Sequence, residues 1–123
     1  MTMPTDEMLH KQPWKLDKMG QIGALTTIPP AFTITLQFEG ETSVYGANAC
    51  NRYFATCHRD GSQMHFQQIG STQMMCEAEA MALEDEYFAA LQSVESYELQ
   101  ADRLTLYYDQ GRHLLLFRPA VAG

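Results

Sequence analysis

Tyr53-Phe54-Ala55-Thr56-Cys57-His58-Arg59-Asp60-Gly61-Ser62-Gln63-Met64-His65-Phe66-Gln67 alternates apolar and polar residues on both sides of Asp60-Gly61. That dipeptide is a strong hairpin signal, because a type I′ turn needs positive φ at both central residues. With Asp60-Gly61 at the centre, His58 is expected opposite Gln63, Cys57 opposite Met64 and Ala55 opposite Phe66. One face then carries Tyr53, Ala55, Cys57, Met64 and Phe66 and reads as core. The other carries Arg52, Phe54, Thr56, His58, Gln63, His65 and Gln67 and reads as solvent-facing, with Phe54 the misfit.

The same period of two continues upstream. Phe32, Ile34, Leu36 and Phe38 alternate with Thr33, Thr35, Gln37 and Glu39, and Gly40-Glu41 turns the chain into a short strand over 43–46. Trp14 and Leu16 alternate with Lys15 and Asp17, and residues 20–30, with two glycines and Pro29-Pro30, read as a loop. Downstream the period changes. Ala80, Leu83, Tyr87, Leu91 and Val94, with Phe88 beside them, predict one amphipathic helix over 76–92. Strands over 103–108 and 113–117 follow, and the run Leu114-Leu115-Leu116-Phe117 predicts a strand covered on both faces. The expected class is α+β: an antiparallel β-rich sheet or partial barrel of about seven or eight strands with one helix packed on it. Residues 1–12 read as a disordered tail, 13–119 as the domain and 120–123 as a second tail.

At 123 residues the chain fits one domain able to bury its own core. Its net charge is −7, from 15 acids against 8 bases, which speaks against a nucleic-acid or anionic-lipid partner. Eight of those acids lie between Glu77 and Asp102, a stretch with no lysine or arginine. The simplest reading of that block is a solvated helix face. Met1 to Gln12 lacks the apolar core of an export signal, so with Met1 as native start the chain is expected in the cytoplasm.

Four local signatures occur in order: Trp14-x-Leu16; Gly46-Ala47-Asn48-Ala49-Cys50-Asn51-Arg52-Tyr53; Ile69-Gly70-Ser71-Thr72-Gln73-Met74-Met75-Cys76; and Leu104-x-Leu106 followed by Leu116-Phe117. The ordered set resembles the META/HslJ family, with Trp14, Asn51, Arg52, Tyr53, Thr72 and Met74 on its motif positions. It departs at Ala49 and Ala55, where the family often has glycine, and at Cys57, where an aromatic is usual. The resemblance implies a β-rich domain in the periplasm or envelope, linked to stress response, without established catalysis. Membrane association is then expected only through a lipid anchor, which this chain does not carry. The resemblance also implies a disulfide between Cys50 and Cys76. Two neighbouring buried thiols are the alternative, and Cys57 is expected as a buried free thiol.

Rival chemistries find little support in these residues. Cys76 at a helix N-terminus is the best nucleophile on offer, yet Glu77 and Glu79 oppose the dipole there and no histidine is placed as its base. His58 and His65 share the solvent face as diagonal neighbours, an incomplete metal site without a third ligand. No metal, cofactor or catalytic residue is therefore expected. Met64 and Met81 fit core positions on strand and helix, Met74 stands in the motif with Met75 beside it, and core filling is the simplest reading of the methionines, although methionine also lines adaptable binding surfaces. The leading expectation is a non-catalytic envelope-associated binding or structural domain. It would take a hydrophobic ligand in a pocket lined by Ile34, Leu36 and Phe38, or a partner protein. The alternative is an interaction module using its acidic helix face, and a thiol-dependent enzyme ranks last.

Overall fold

In the computed structural model, which describes residues 5–100 and 102–120, nine strands and two helices build a single sheet that curls onto itself. In chain order they are α1 (Thr5–His10), β1 (Trp14–Gln21), β2 (Ala24–Thr27), β3 (Thr35–Glu39), β4 (Ser43–Ala47), β5 (Arg52–Asp60), β6 (Gln63–Ser71), α2 (Ala78–Ser93), β7 (Val94–Gln100), β8 (Arg103–Tyr108) and β9 (His113–Pro119). All pairings are antiparallel. The order β3-β4-β5-β6-β7-β8-β9 returns to β1, which pairs with β3 through Trp14 and Lys15 and with β9 along its whole length. β2 extends one side of β1 beyond β3. The result is a barrel with one loose seam. β6 and β7 share one registered pair, Gln63 with Ser96, and one further bond from Tyr97 N to Ser62 O at 2.9 Å.

Helix α2 links β6 to β7 across this seam. It turns Ala80, Glu84, Tyr87, Ala90 and Leu91 inward, while the barrel wall contributes Trp14, Leu36, Tyr53, Met64, Leu106 and Phe117, none of them more than 2% exposed. Burying side chains of this size stabilises a fold by about 1.5–3 kcal/mol each, so the filled interior is the main source of cohesion. Ile34 and Leu36 are fully buried and Phe38 is 6% exposed, so all three side chains belong to the interior.

Several local expectations need correction. The hairpin turn is centred on Gly61-Ser62, so Asp60 faces Gln63, Arg59 faces Met64, His58 faces His65 and Cys57 faces Phe66. Moving the turn by one residue shifts each partner by two, which preserves the pleat; Tyr53, Ala55, Cys57, Met64 and Phe66 remain buried together. A bulge at Gln68, with φ 54°, absorbs the extra residue of β6. Phe54 does face outward, and its ring lies over Gly70 on β6, filling space a side chain there would need.

Nine strands also exceed the expected number. Residues 24–27, read as loop, form β2, and 94–100 form β7. The tail expected over 1–12 is helical from Thr5 to His10. Leu9 is fully buried and its carbonyl accepts the Trp14 indole N–H at 3.1 Å. Residues 1–4, 101 and 121–123 lie outside the described residues.

Candidate functional site

Of the family-like residues, Cys50, Asn51, Arg52, Thr72, Met74 and Cys76 converge beside α2, whereas Trp14 lies on β1 between β3 and β9. After β4 the chain makes a tight turn in which Asn51 O accepts Asn48 N at 2.6 Å and Asn48 Oδ1 accepts Ala49 N at 2.8 Å. This turn leaves the backbone N–H groups of Cys50 and Asn51 without strand partners. Glu84 of α2 satisfies both: its Oε2 accepts Asn51 N at 2.7 Å and Cys50 N at 3.2 Å, while Oε1 accepts Asn51 Nδ2 at 2.9 Å. Asn51 Oδ1 in turn accepts Met74 N at 2.7 Å and the Thr72 hydroxyl at 3.0 Å. Thr72 Oγ1 accepts Arg52 N at 3.1 Å, and Thr72 N donates to Arg52 O at 3.0 Å. Three chain segments, 48–52, 72–76 and α2, are tied by one buried carboxylate and one buried amide.

A covalent bond closes the same junction. Cys50 and Cys76 form a disulfide with Cα atoms 6.0 Å apart, and Cys57 is free and buried. The bond joins the turn after β4 to the segment entering α2. By the chain-entropy account a loop of this length contributes about 3 to 4 kcal/mol, so adding reductant is expected to lower the unfolding free energy by that amount. Thiol titration in denaturant checks the pairing: one reactive thiol per chain without reductant and three with it.

Tyr53 fixes the floor of the junction. Its hydroxyl donates to Thr35 O at 2.6 Å and accepts the Tyr87 hydroxyl, also at 2.6 Å. Burial pushes both phenols well above the usual tyrosine range. Gly46, opposite Tyr53, allows this approach, since a Cβ there would lie 2.1 Å from Thr35 O. Burial likewise pushes the Cys57 thiol up to about 12. Because an unfolded thiol ionises near 8.5, the contribution of Cys57 is complete below that pH and is lost progressively as pH rises toward 12. Urea unfolding is expected to show roughly 2 kcal/mol lost to this group between pH 8 and 10, a slope that Cys57→Ala flattens.

The residues singled out in the sequence thus divide in two. Trp14, Asn51, Tyr53, Cys50 and Cys76 act inside the structure. Arg52 and Thr72 contribute through backbone and hydroxyl, and the Arg52 side chain is exposed. Met74 takes part only through its backbone; its side chain is 58% exposed and that of Met75 is 83% exposed. Core filling does not account for these two methionines, whereas Met64 is fully buried and Met81 half-buried. Glu84 is the participant that sequence reasoning missed. The available signal was its position four residues after Ala80 and three before Tyr87, on the apolar stripe of α2.

The histidine pair also changes. His58 and His65 are directly opposite rather than diagonal, both exposed, and among the described residues no group of three or more His, Cys, Asp or Glu is arranged to hold a metal. Cys76 is consumed by the disulfide and offers no nucleophile while oxidised.

Comparison with known families matches residues 7–121 to the META domain model. The chain belongs to the META domain family. The match begins six residues before the domain start expected at residue 13, in keeping with α1 being part of the fold. Among solved structures, this META domain is similar to a protein from Burkholderia xenovorans determined by NMR, with 22% identity and a TM-score of 0.77. That alignment covers 99% of this chain and 94% of the other. It is also similar to the crystal structure of a DUF4847 family protein from Bacteroides vulgatus, at 12% identity and a TM-score of 0.69, covering 94% and 96% of the two chains. These likenesses establish the fold. Comparison with curated proteins finds no match.

Proposed function

We propose that this META domain is a non-catalytic protein-binding domain whose docking surface is the 72–76 segment and the adjoining outer face of α2. The observation that carries the reading is Met75, a large apolar side chain 83% exposed between two anchors: the Asn51 bond to Met74 N on one side and the Cys50–Cys76 disulfide on the other. With the backbone already held on both sides, binding has only the side chain left to order, so such a residue suits an interface. The packed interior supports a surface-binding role over a ligand enclosed in the barrel. The disulfide supports work in an oxidising compartment such as the periplasm or envelope.

Site-specific photo-crosslinking in the native cells tests the reading. A photoreactive residue at position 75 is expected to give a discrete protein adduct, while the same group at exposed Thr26 gives none. The captured partner, once purified, should bind the Met74→Gln/Met75→Gln variant about tenfold more weakly. No adduct from positions 74, 75 or 81 would overturn the proposal.

A further inference from the structure

We infer that the partner docks through a cationic amphipathic segment laid in the groove between the 71–75 segment and α2, an inference that rests on the protein-binding reading above. The groove is an open concavity of about 300 Å³. Its apolar floor is made by Met74 and Met75 from the loop and by Met81 and Phe88 from α2, with Asp85 on the helix between them. Met81, Asp85 and Phe88 recur at steps of four and three, so α2 presents them along one stripe. The loop wall is set by the Asn51 and Cys76 anchors, which fixes the backbone while leaving unbranched thioether side chains free to adapt to an incoming apolar surface.

Charge selects among possible occupants. None of the groove-lining residues is basic, and two, Glu84 and Asp85, are acidic. Glu77 adds an exposed carboxylate at the N-terminal approach to the helix, whereas Glu86 lines a separate concavity with Ala89 and Ser93; no lysine or arginine occurs from residue 60 to residue 102. Arg52, whose backbone pairs with Thr72, is the cation at the border. An apolar floor with an acidic surround complements a segment that carries apolar side chains on one face and lysine or arginine on the other. It opposes an acidic peptide or an anionic lipid surface by the same electrostatics. A helix of that kind would cover Met74 and Met75 with its apolar face and place its cations over Asp85 and Glu77.

The experiment uses the full oxidised chain and three labelled model peptides of about 18 residues: a leucine–lysine amphipathic helix, its leucine–glutamate counterpart, and a scrambled leucine–lysine peptide with no apolar face. Fluorescence anisotropy is expected to show saturable one-to-one binding of the first peptide alone. Binding should weaken about tenfold in Met74→Gln/Met75→Gln and comparably in Asp85→Lys, and should fall as salt is raised to about 0.5 M. The substituted side chains are exposed, so the thermal midpoint of each variant should stay near wild type; a scan of both confirms that lost binding is local.

Equal binding of the glutamate or scrambled peptide, no binding of any peptide, or undiminished binding by the methionine and Asp85 variants would overturn the inference. So would a dimer of the wild-type chain that Met75→Gln dissolves, because the occupant would then be a second copy. A cellular adduct at position 75 mapped to an acidic or neutral segment overturns this inference and leaves the protein-binding reading standing. Absence of any adduct overturns that reading itself.

Discussion

Replacing Glu84 with alanine is expected to lower the unfolding free energy by about 4 to 6 kcal/mol, read from urea unfolding monitored by tryptophan fluorescence. The residue is 8% exposed, and three N–H groups depend on it: Cys50 N, Asn51 N and Asn51 Nδ2. Each buried donor left without an acceptor costs about 1–3 kcal/mol, and water can reach only part of the junction to compensate. The loss should propagate, because an Asn51 side chain without Glu84 no longer holds its amide toward Met74 N and Thr72. Glu84→Gln separates charge from shape. One oxygen remains an acceptor, but the amide NH₂ meets a donor, so the expected cost is about half that of alanine. A loss below about 1 kcal/mol for Glu84→Ala would show that the carboxylate is dispensable to the junction.

Gly46→Ala should be nearly as severe, about 4 kcal/mol or more, with a thermal midpoint lowered by roughly 12–20 °C or a failure to fold. The cause is steric. A Cβ at Gly46 would lie 2.1 Å from Thr35 O and 3.1 Å from the Tyr53 ring, and Thr35 O is the acceptor for the Tyr53 hydroxyl. The new methyl group must displace a backbone carbonyl between β3 and β4, and with it the buried phenol pair. Gly40→Ala is the control. That glycine has φ 67° but nothing within 4 Å of an added Cβ, so only the left-handed backbone penalises it, by about 1 kcal/mol. If both substitutions cost the same, the close approach at Gly46 has no energetic weight.

Gly46 and Glu84 show how differently structural necessity is written in a sequence. Gly46 stands in a recognisable motif beside Asn51 and Tyr53, so its importance was legible even though its reason was not. Glu84 sits in a run of three acids, Glu84-Asp85-Glu86, and composition makes all three look like solvated helix face. Two of them are exposed and the first is buried. Only the helix phase relative to the barrel separates them. The acidic reading of α2 was therefore right for its outer face and wrong at the position that matters most to the junction.

The same logic accounts for β7. Its sequence, Val94-Glu95-Ser96-Tyr97-Glu98-Leu99-Gln100, carries few strand-favouring residues in clean alternation and follows directly on a helix. Pairing with β8 along six registered positions makes it a strand, an outcome set by the neighbour rather than by local propensity. Closure of the sheet is likewise non-local. β1 meets β9 roughly a hundred residues away along the chain, and a bulge between Leu16 and Lys18 re-phases β1 so that Trp14, Leu16 and Met19 all point inward.

What the sequence determined by itself was the set of faces. Period-two alternation marks Tyr53, Ala55, Cys57, Met64 and Phe66 as one buried surface whichever residues form the turn, because a partner shift of two leaves the pleat unchanged. The three-and-four spacing of α2 and the ordered motifs were local properties too, and they sufficed for the fold class and the family. Tertiary structure alone decided the hairpin register, the closing of the barrel, the burial of Glu84 and the outward placing of Met74 and Met75. Each of these depends on which distant backbone atoms are left needing a partner or lacking room. No local pattern encodes that, since it arises only when the turn after β4, the 72–76 segment and α2 meet.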